Sequence, residues 1–175
     1  MADDANLTLW TGRFLQIAKR GSWEYATRHG SRGVVGIVAT TSANELVLVE
    51  QYRPPLDKRV IELPAGLVGD GDTGDDSPLV AAGRELEEET GFKAKTLTPI
   101  TRGVVSAGLT DEAVDLVRAT GLVRVGEGGG VDESEDIAVH VVPLGEVPGF
   151  LRGMVAAGRE VDLKVWAALW FCDKG

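Results

Sequence analysis

The N-terminal third of the chain shows the two-residue alternation of apolar and polar positions that is typical of β-strands. The segments GRFLQIAKR and SWEYATRHG both alternate, and Gly21-Ser22 between them is a turn signal. Two longer apolar runs follow, GVVGIVATT and ELVLVEQYR, with Ser42, Ala43 and Asn44 between them. The pattern predicts a meander of strands that feeds a mostly buried sheet.

A helical period replaces this alternation after the segment GLVGDGDTGDD, residues 66–76, whose Gly and Asp content predicts a loop. Ser77 is placed as an N-cap, Pro78 at the first helical position and Gly91 just past the end. The positions that recur at helical spacing predict the packing face of this helix: Leu79, Ala82, Gly83, Leu86 and Thr90.

The second half of the chain mixes both periods without strict alternation of strands and helices. Residues 103–122 predict strands around a turn near Ala107-Gly108, and VRVGEGGGVDESED predicts a second loop rich in Gly and acidic residues. IAVHVVPL reads as a strand, whereas PLGEVPGFLRGMVAAG and VDLKVWAALWFC read as closing helices. We therefore expect one α/β domain with a mixed sheet flanked by helices, rather than a doubly wound parallel sheet. A length of 175 residues fits a single domain.

Composition excludes several classes of function. The chain has 27 acidic and 18 basic residues, a formal net charge of -9, which disfavours broad contact with nucleic acid or an anionic membrane. No apolar run is long enough for a transmembrane span, and MADDANLTLW lacks the features of a signal peptide, so we expect a cytoplasmic protein. Cys172 is the only cysteine, so it predicts a buried inert thiol and no disulfide.

The segment GRELEEETGF places four glutamates within five positions near the end of the predicted helix. Runs of glutamate are usually a solvated helix face. Here, however, negative charge opposes the helix dipole, and Glu85 forms like-charged pairs with Glu88 and Glu89 at i,i+3 and i,i+4. A hard divalent cation such as Mg²⁺, which takes oxygen ligands, would relieve this repulsion.

RELEEETGF, Arg84 to Phe92, matches the R-E-U-x-E-E-x-G-U core of the Nudix box, in which U is a bulky apolar residue. The chain therefore resembles the Nudix hydrolases. Upstream, the equivalent of the family's first glycine is Gly66, which implies four extra residues in the loop and Asp76 in place of a glutamate. The segments VLVEQYRPP, IELPAG, SAGLTDE and DESEDIAVHVVPL, with SWEYATR, resemble ADP-ribose pyrophosphatases and related nucleoside-diphosphate-sugar hydrolases.

This resemblance implies a Nudix fold, a mixed β-sheet sandwiched between helices (α/β/α), with an antiparallel strand region at the N-terminus. Residues 1–32 would contribute strands to a homodimer and residues 33–175 would form the core. The implied reaction is Mg²⁺-dependent hydrolysis of ADP-ribose or a nucleoside diphosphate sugar to a nucleoside monophosphate and a sugar phosphate, with Mn²⁺ as a possible substitute. The alternatives are a Nudix hydrolase for another nucleoside diphosphate derivative, such as a dinucleoside polyphosphate, a coenzyme or an oxidised nucleotide, and a non-catalytic nucleotide sensor.

The resemblance also implies roles for individual residues. Arg84 would pair with a box glutamate, Glu133 would be the general base and Glu135 an added metal ligand, or the last two roles are exchanged. Glu87 is expected to be plain surface. The implied metal ligands are the backbone carbonyl of Ala65 and the carboxylates of Glu85, Glu88 and Glu89. The implied substrate contacts are Trp23, Glu24 and Arg28 for the base and phosphates, Arg53 for a phosphate and Glu112 for the distal sugar.

Overall fold

The computed structural model of the protein describes residues 6–30, 33–69, 77–130 and 136–173. The three α-helices of these residues are α1 (Pro78–Thr90), α2 (Val147–Ala156) and α3 (Leu163–Asp173). The strands are β1 (Leu7–Thr11), β2 (Leu15–Arg20), β3 (Trp23–Arg28), β4 (Gly33–Ala39), β5 (Glu45–Arg53), β6 (Lys58–Glu62), β7 (Ala65–Val68), β8 (Phe92–Lys93), β9 (Thr96–Val104), β10 (Ala113–Thr120), β11 (Val123–Arg124), β12 (Ala138–Pro143) and β13 (Glu160–Val161). Within this part of the chain, no helix is both long and apolar enough to cross a membrane.

Two four-stranded mixed sheets form the centre of the fold. The first has the order β7-β4-β10-β9, with β4 and β10 parallel and both outer strands antiparallel to their neighbours. The second has the order β12-β5-β6-β13, with only β6 and β13 parallel. Strands β8 and β11 form a separate two-stranded ladder. This arrangement confirms the predicted mixed α/β architecture.

The sheets separate two apolar cores. One core packs β4, β7 and β10 against helix α1, through residues such as Ile37, Val117 and Leu86. The other packs the second sheet against α2 and α3, through residues such as Leu48 and Leu151. Successive strand residues point to opposite faces, so β4, β5 and β10 contribute to both cores. Helices therefore cover both sides of the sheet layer, as the fold class requires.

Strands β1, β2 and β3 form an antiparallel sheet at the N-terminus, as predicted. This sheet joins the rest of the chain through β3, where the N–H of Ala26 donates to the carbonyl of Leu109 at 2.8 Å and Thr27 donates its hydroxyl to Asp111 at 3.0 Å. Ala18 is the only apolar side chain of the three strands in the buried core. The sheet thus leaves large apolar side chains in solvent.

Two sequence predictions about the strands are wrong, and one strand was not assigned individually. Strands β4 and β5 lie in different sheets and share only an isolated bridge between Thr40 and Leu46, so they do not form a meander. The segment that begins at Gly66 is not a loop throughout, because Ala65–Val68 pairs with β4 as β7. Strand β1 lies in the predicted N-terminal strand region but was not assigned individually, and it forms because it pairs along β2. In each case pairing with a distant or neighbouring strand overrides local composition.

Candidate functional site

Helix α1 begins and ends where its sequence signals predicted. The Ser77 side chain accepts a hydrogen bond from the N–H of Val80 at 3.4 Å, and Pro78 opens the helix. Gly91 follows the last turn with a φ of 70°, the left-handed conformation that favours glycine. The packing face includes Leu86 and Thr90 as expected, but Glu89 is also buried, with 8% of its surface exposed. The last turn thus holds a carboxylate in the interior.

Strand β7 lies close to α1 at Gly66, which has no side chain. A Cβ atom on Gly66 would lie 1.9 Å from the Cδ atom of Glu85, which is far inside van der Waals contact. A side chain at position 66 would therefore displace the carboxylate of Glu85 from its place beside the strand. This contact gives a physical reason for the glycine that the sequence motif places at position 66.

Arg84 contacts two of the three ligand carboxylates that are predicted on α1. Its Nη1 atom lies 2.9 Å from Oε1 of Glu85 and 3.2 Å from Oε2 of Glu88, and its Nη2 donates to the carbonyl of Leu67 at 3.4 Å. A planar guanidinium held at both ends in this way fixes the rotamers of the carboxylates that it contacts. Arg84 therefore occupies the position that a residue orienting metal ligands would need.

Glu89 connects the helix to the start of β7. Its Oε2 atom accepts a hydrogen bond from the N–H of Ala65 at 3.0 Å, which brings the backbone of Ala65 beside the buried carboxylate. Ala65 and Glu89, two of the predicted metal ligands, are thus neighbours across the helix–strand contact. In the described ranges, no three His, Cys, Asp or Glu side chains converge on a common point as a ready set of metal ligands.

Arg53 ends strand β5, and a buried glutamate holds its guanidinium. Its Nε lies 3.1 Å from both carboxylate oxygens of Glu62, and its Nη2 lies 2.5 Å from Oε2. Gln51 donates to the same carboxylate at 2.9 Å. Burial alone would lower the pKa of Arg53, but the hydrogen bonds and charge of Glu62, with the charge of Glu89, outweigh it and raise the pKa. Arg53 is therefore a fixed cation whose field reaches Glu89.

Sequence reasoning missed Glu62 and Gln51. A signal for Glu62 is present in IELPAG, where an acidic residue interrupts residues that the structure buries completely, Ile61 and Leu63. A buried carboxylate needs a cationic partner, so its position implied an arginine or lysine nearby. No such signal identifies Gln51.

Trp23 begins β3 and is largely exposed, with 65% of its surface accessible. It lines a shallow cavity of about 230 Å³ together with residues from the turn between β9 and β10, including Gly108 and Asp111. Glu24 does not line this cavity, because neighbouring residues of a strand point to opposite faces. Within one chain, the side chains of Trp23 and Glu24 therefore lie on opposite faces of β3.

Arg28 and Glu112 form an ion pair across the contact between β3 and the strand region before β10. The pair lines a polar cavity of about 160 Å³, which also includes Gly33 at the start of β4. Gly33 lies three residues from Gly36, the partner of Ala65 in the β4–β7 pairing, and this is about 10 Å along a strand. Strand β4 therefore connects the cavity to the position that pairs with Ala65.

Several predicted positions lie outside the described residues. Glu133 and Glu135 belong to residues 131–135, and the extra residues from Asp70 to Asp76 belong to residues 70–76. Their assigned roles remain predictions.

Comparison with known proteins gives a consistent picture. The family model described as NUDIX domain matches residues 30–161. A methanol dehydrogenase activator of Bacillus methanolicus is 37% identical over 120 residues, which are 69% of this chain and 63% of that protein. An ADP-ribose pyrophosphatase of Bacillus subtilis is 39% identical over 112 residues, 64% of this chain and 58% of that protein. The matches thus span less than two thirds of the length of these relatives.

A solved structure shows the same fold. The crystal structure of an ADP compounds hydrolase superposes with a TM-score of 0.67 over 85% of this chain and 80% of the other, at 22% sequence identity. The fold, the RELEEETGF helix with its neighbouring glycine, and the family match over residues 30–161 agree. The resemblance seen in the sequence is confirmed, and the chain belongs to the NUDIX family.

Proposed function

We propose that the protein is a Mg²⁺-dependent pyrophosphatase. It would hydrolyse the diphosphate of ADP-ribose or a nucleoside diphosphate sugar, giving a nucleoside monophosphate and a sugar phosphate. The observation that carries the proposal is the cluster of Glu85, Glu88 and Glu89 on α1, with Arg84 bridging two of these carboxylates and Ala65 beside the third. The name of the Bacillus subtilis relative supports ADP-ribose as a substrate.

The oxygen ligands that these residues offer suit a divalent cation, although in the described part of the chain the side chains do not yet converge on one point. Members of the NUDIX family generally use divalent metal cations. Carboxylate and backbone carbonyl oxygens are the ligands that Mg²⁺ prefers, and Mg²⁺ usually retains several waters, so a site need not be closed by protein atoms alone. Glu85, Glu88, Glu89 and the carbonyl of Ala65 would hold the ion, and Mn²⁺ could replace it. When bound, the cation would neutralise the charge of the diphosphate and lower the pKa of a water molecule.

The side chains around the carboxylates would bind and orient the substrate. Arg53 is held by Glu62 through Nε and Nη2, and its Nη1 makes no hydrogen bond to any described residue. This corner of the guanidinium would bind a phosphate oxygen as a charge-assisted donor. Arg84 would keep Glu85 and Glu88 in place. Glu133 would accept the proton of the attacking water and Glu135 would add a ligand, or these two roles are exchanged.

The nucleoside would bind at the cavity of Trp23, where the exposed indole offers a stacking surface. Arg28 would contact the phosphates and Glu112 the distal sugar, and both line the adjoining polar cavity. Glu24 lies on the other face of β3, so it could accept from an exocyclic amine at Trp23 only across two copies of the chain. This contact therefore depends on a dimer.

The N-terminal sheet supports a homodimer. Large apolar side chains of β1, β2 and their connection are exposed in the single chain: Leu7, Leu9, Trp10, Phe14 and Leu15. A three-stranded sheet needs a packed apolar face for stability, and exposed apolar patches of this kind mark protein interfaces. A second copy of the chain would cover them. Light scattering that shows a stable monomer would contradict the dimer and the shared site.

A panel of nucleoside diphosphate derivatives tests the function. Each compound is incubated with the protein and Mg²⁺, and phosphate release is followed after addition of a phosphatase. We expect cleavage of ADP-ribose or an ADP-sugar, and no release with EDTA. Preference for a dinucleoside polyphosphate, a coenzyme or an oxidised nucleotide would support the alternative Nudix substrates. If no compound is cleaved, the proposal of an enzyme fails.

A further inference from the structure

A glycine-rich turn lies against the last turn of α1. We call residues 125–130, VGEGGG, the glycine brace. The N–H groups of Gly129 and Gly130 donate to the backbone carbonyls of Glu89 and Glu88, at 2.8 and 3.1 Å. The N–H groups of Val125 and Gly126 donate to the carbonyl of Gly91 at 2.8 and 3.2 Å. A segment about 40 residues downstream thus caps the helix.

Glycine is required for this contact, because backbone packs directly on backbone. A Cβ atom on Gly128 would lie 2.4 Å from the carbonyl carbon of Thr90 and 2.7 Å from the oxygen of Glu89. One on Gly91 would lie 2.3 Å from the oxygen of Gly126. Main-chain atoms cannot rotate away as a flexible side chain can. Gly128 also has a φ of 74°, which most residues with a side chain avoid.

The glycine brace provides hydrogen-bond donors at the negatively charged C-terminal end of α1. The last carbonyls of a helix lack partners within it, and the C-terminal end of the helix dipole is negative. Glutamates at that end add further negative charge. The brace brings four N–H donors to this end, and two of the carbonyls that they bond belong to Glu88 and Glu89 themselves. The backbone from which these two side chains extend is therefore held by an external element.

The brace is itself anchored by the rest of the fold. Strand β11, which precedes it, pairs with β8 directly after the helix. Arg124 of β11 packs over the ring of Phe92 at 5.3 Å and donates to the carbonyl of Glu127 within the brace at 3.0 Å. The turn is thus tied at its start to the segment that leaves α1, so its position against the helix is fixed.

We propose that the glycine brace is a positioning element of the cation site, with Gly128 as its central positioning residue. It holds the last turn of α1 so that Glu88 and Glu89 are ready to bind a divalent cation, without touching cation or substrate itself. The inference rests on the proposed function, because it takes these glutamates as metal ligands. Pre-ordered ligands bind a metal more tightly, since less freedom is lost on binding.

Gly128→Ala tests the proposal through Mn²⁺ binding, measured by titration calorimetry in the absence of substrate. We expect the Kd for Mn²⁺ to rise by about tenfold or more, since second-shell changes at metal sites commonly have this size. Gly103→Ala is the matched control, because a Cβ there meets no atom within 4 Å and its φ is not positive. We expect the control to keep the wild-type Kd within about twofold. A folded Gly128→Ala with the wild-type Kd overturns the proposal.

Gly128→Asn separates close contact from backbone strain. Asparagine tolerates the left-handed conformation better than alanine, but it brings the same Cβ against Thr90. If the contact is the cause, Gly128→Asn weakens Mn²⁺ binding as much as Gly128→Ala does. Recovery of the wild-type Kd by asparagine overturns the role of the contact.

If the Gly128 variants do not fold, hydrogen exchange of the wild-type protein tests whether the glycine brace is coupled to cation binding. Coupling between two sites is reciprocal, so a brace that strengthens cation binding must itself be strengthened by the cation. We expect amides of residues 129–130 to exchange more slowly when Mg²⁺ is added, and unchanged exchange overturns the proposal. A wild type that binds Mn²⁺ but cleaves no nucleotide contradicts the enzyme alone, whereas a wild type that binds no cation overturns both proposals.

Discussion

Two buried glutamates, Glu50 and Glu89, lie in different electrostatic surroundings. They are 5% and 8% exposed. The Glu50 carboxylate accepts hydrogen bonds from Arg59 at 2.9 Å, from His140 at 3.0 Å and from Arg159 at 3.2 Å. Glu89 accepts from a backbone N–H and belongs to a helix end with two further carboxylates, for which Arg84 provides one bridging cation.

The comparison leads us to expect different roles for the two carboxylates. A buried charge is tolerated when cations and hydrogen bonds from the same chain offset its desolvation, and Glu50 has such partners on β6, on β12 and after α2. The α1 set concentrates negative charge where the helix dipole is also negative. Arg84 and the charge of Arg53 offset part of this repulsion, and a bound divalent cation would lower it further. We therefore expect Glu50 to serve stability and Glu89 to serve cation binding.

The largest expected difference is in turnover. Glu89→Gln should lower kcat by about 100- to 1,000-fold, because a neutral amide replaces a charged ligand and about 1.4 kcal/mol of lost transition-state stabilisation corresponds to a factor of ten. Glu50→Gln should change kcat by less than about threefold. Both are measured by phosphate release at saturating substrate and Mg²⁺. Near-normal turnover of Glu89→Gln would remove it from the ligand set.

Stabilisation by Mg²⁺ should distinguish the same two variants without substrate. At about 100 times its Kd, a ligand raises the free energy of unfolding by about 2.7 kcal/mol. The wild type and Glu50→Gln should both gain this amount in urea titrations with Mg²⁺, and Glu89→Gln should gain much less. An equal gain in all three proteins would show that the ion binds elsewhere.

Without added metal, Glu50→Gln should have a lower free energy of unfolding than Glu89→Gln. Glu50→Gln should lose about 2 kcal/mol of unfolding free energy, less than for a fully buried pair because its arginine partners are partly exposed. For a domain of this size the loss corresponds to a Tm about 4–8 °C lower. Glu89→Gln should be neutral or slightly stabilising, since it removes repulsion at the helix end. A metal-free melt in EDTA checks both values.

Low pH should remove the contribution of Glu50 to the free energy of unfolding. Burial tends to raise the pKa of this carboxyl, but hydrogen bonds from His140, Arg159 and Arg59 outweigh burial and hold the pKa below its ordinary value of 4.5. A carboxyl with a lowered pKa in the folded state stabilises the protein above its unfolded pKa, and this stabilisation is lost as the pH falls through the folded pKa. The stability difference between wild type and Glu50→Gln should therefore be constant above about pH 5.5 and shrink below pH 4.5. A constant difference down to pH 3 would contradict this assignment.

The sequence predicts the helix of this site better than its surroundings. The limits of α1 are local, since Ser77 and Gly91 cap it by contacts within a few residues, and the motif itself identified the family. Strand β7 was assigned to a loop, because the pairing with β4 that makes it a strand is not written in its own four residues. Local signals thus predict the limits of the helix, whereas the long-range pairing of β4 with β7 is not predicted.

The contacts that complete the site are also non-local. Glu62 reaches Arg53 across the β5–β6 pairing, and that register cannot be read from either strand alone. The burial of Glu89 was missed because the helical period ranks it with its charged neighbours. The three side chains that hydrogen-bond to Glu50 are contributed by separate regions of the chain. Sequence thus indicates which residues carry the chemistry, while tertiary contacts decide which carboxylates are already neutralised.

The smallest effect is expected at Glu87, a third glutamate that belongs to the same helix as Glu89 but lies in solvent. Its carboxylate is 3.6 Å from Nζ of Lys93, and the two side chains are 47% and 67% exposed. Such surface pairs contribute little, so Glu87→Gln should change the free energy of unfolding by less than about 0.5 kcal/mol and kcat by less than about twofold. It controls for the loss of one negative charge from α1. If Glu87→Gln lowered Mg²⁺ affinity as much as Glu89→Gln, net charge rather than the position of the buried carboxylate would govern cation binding.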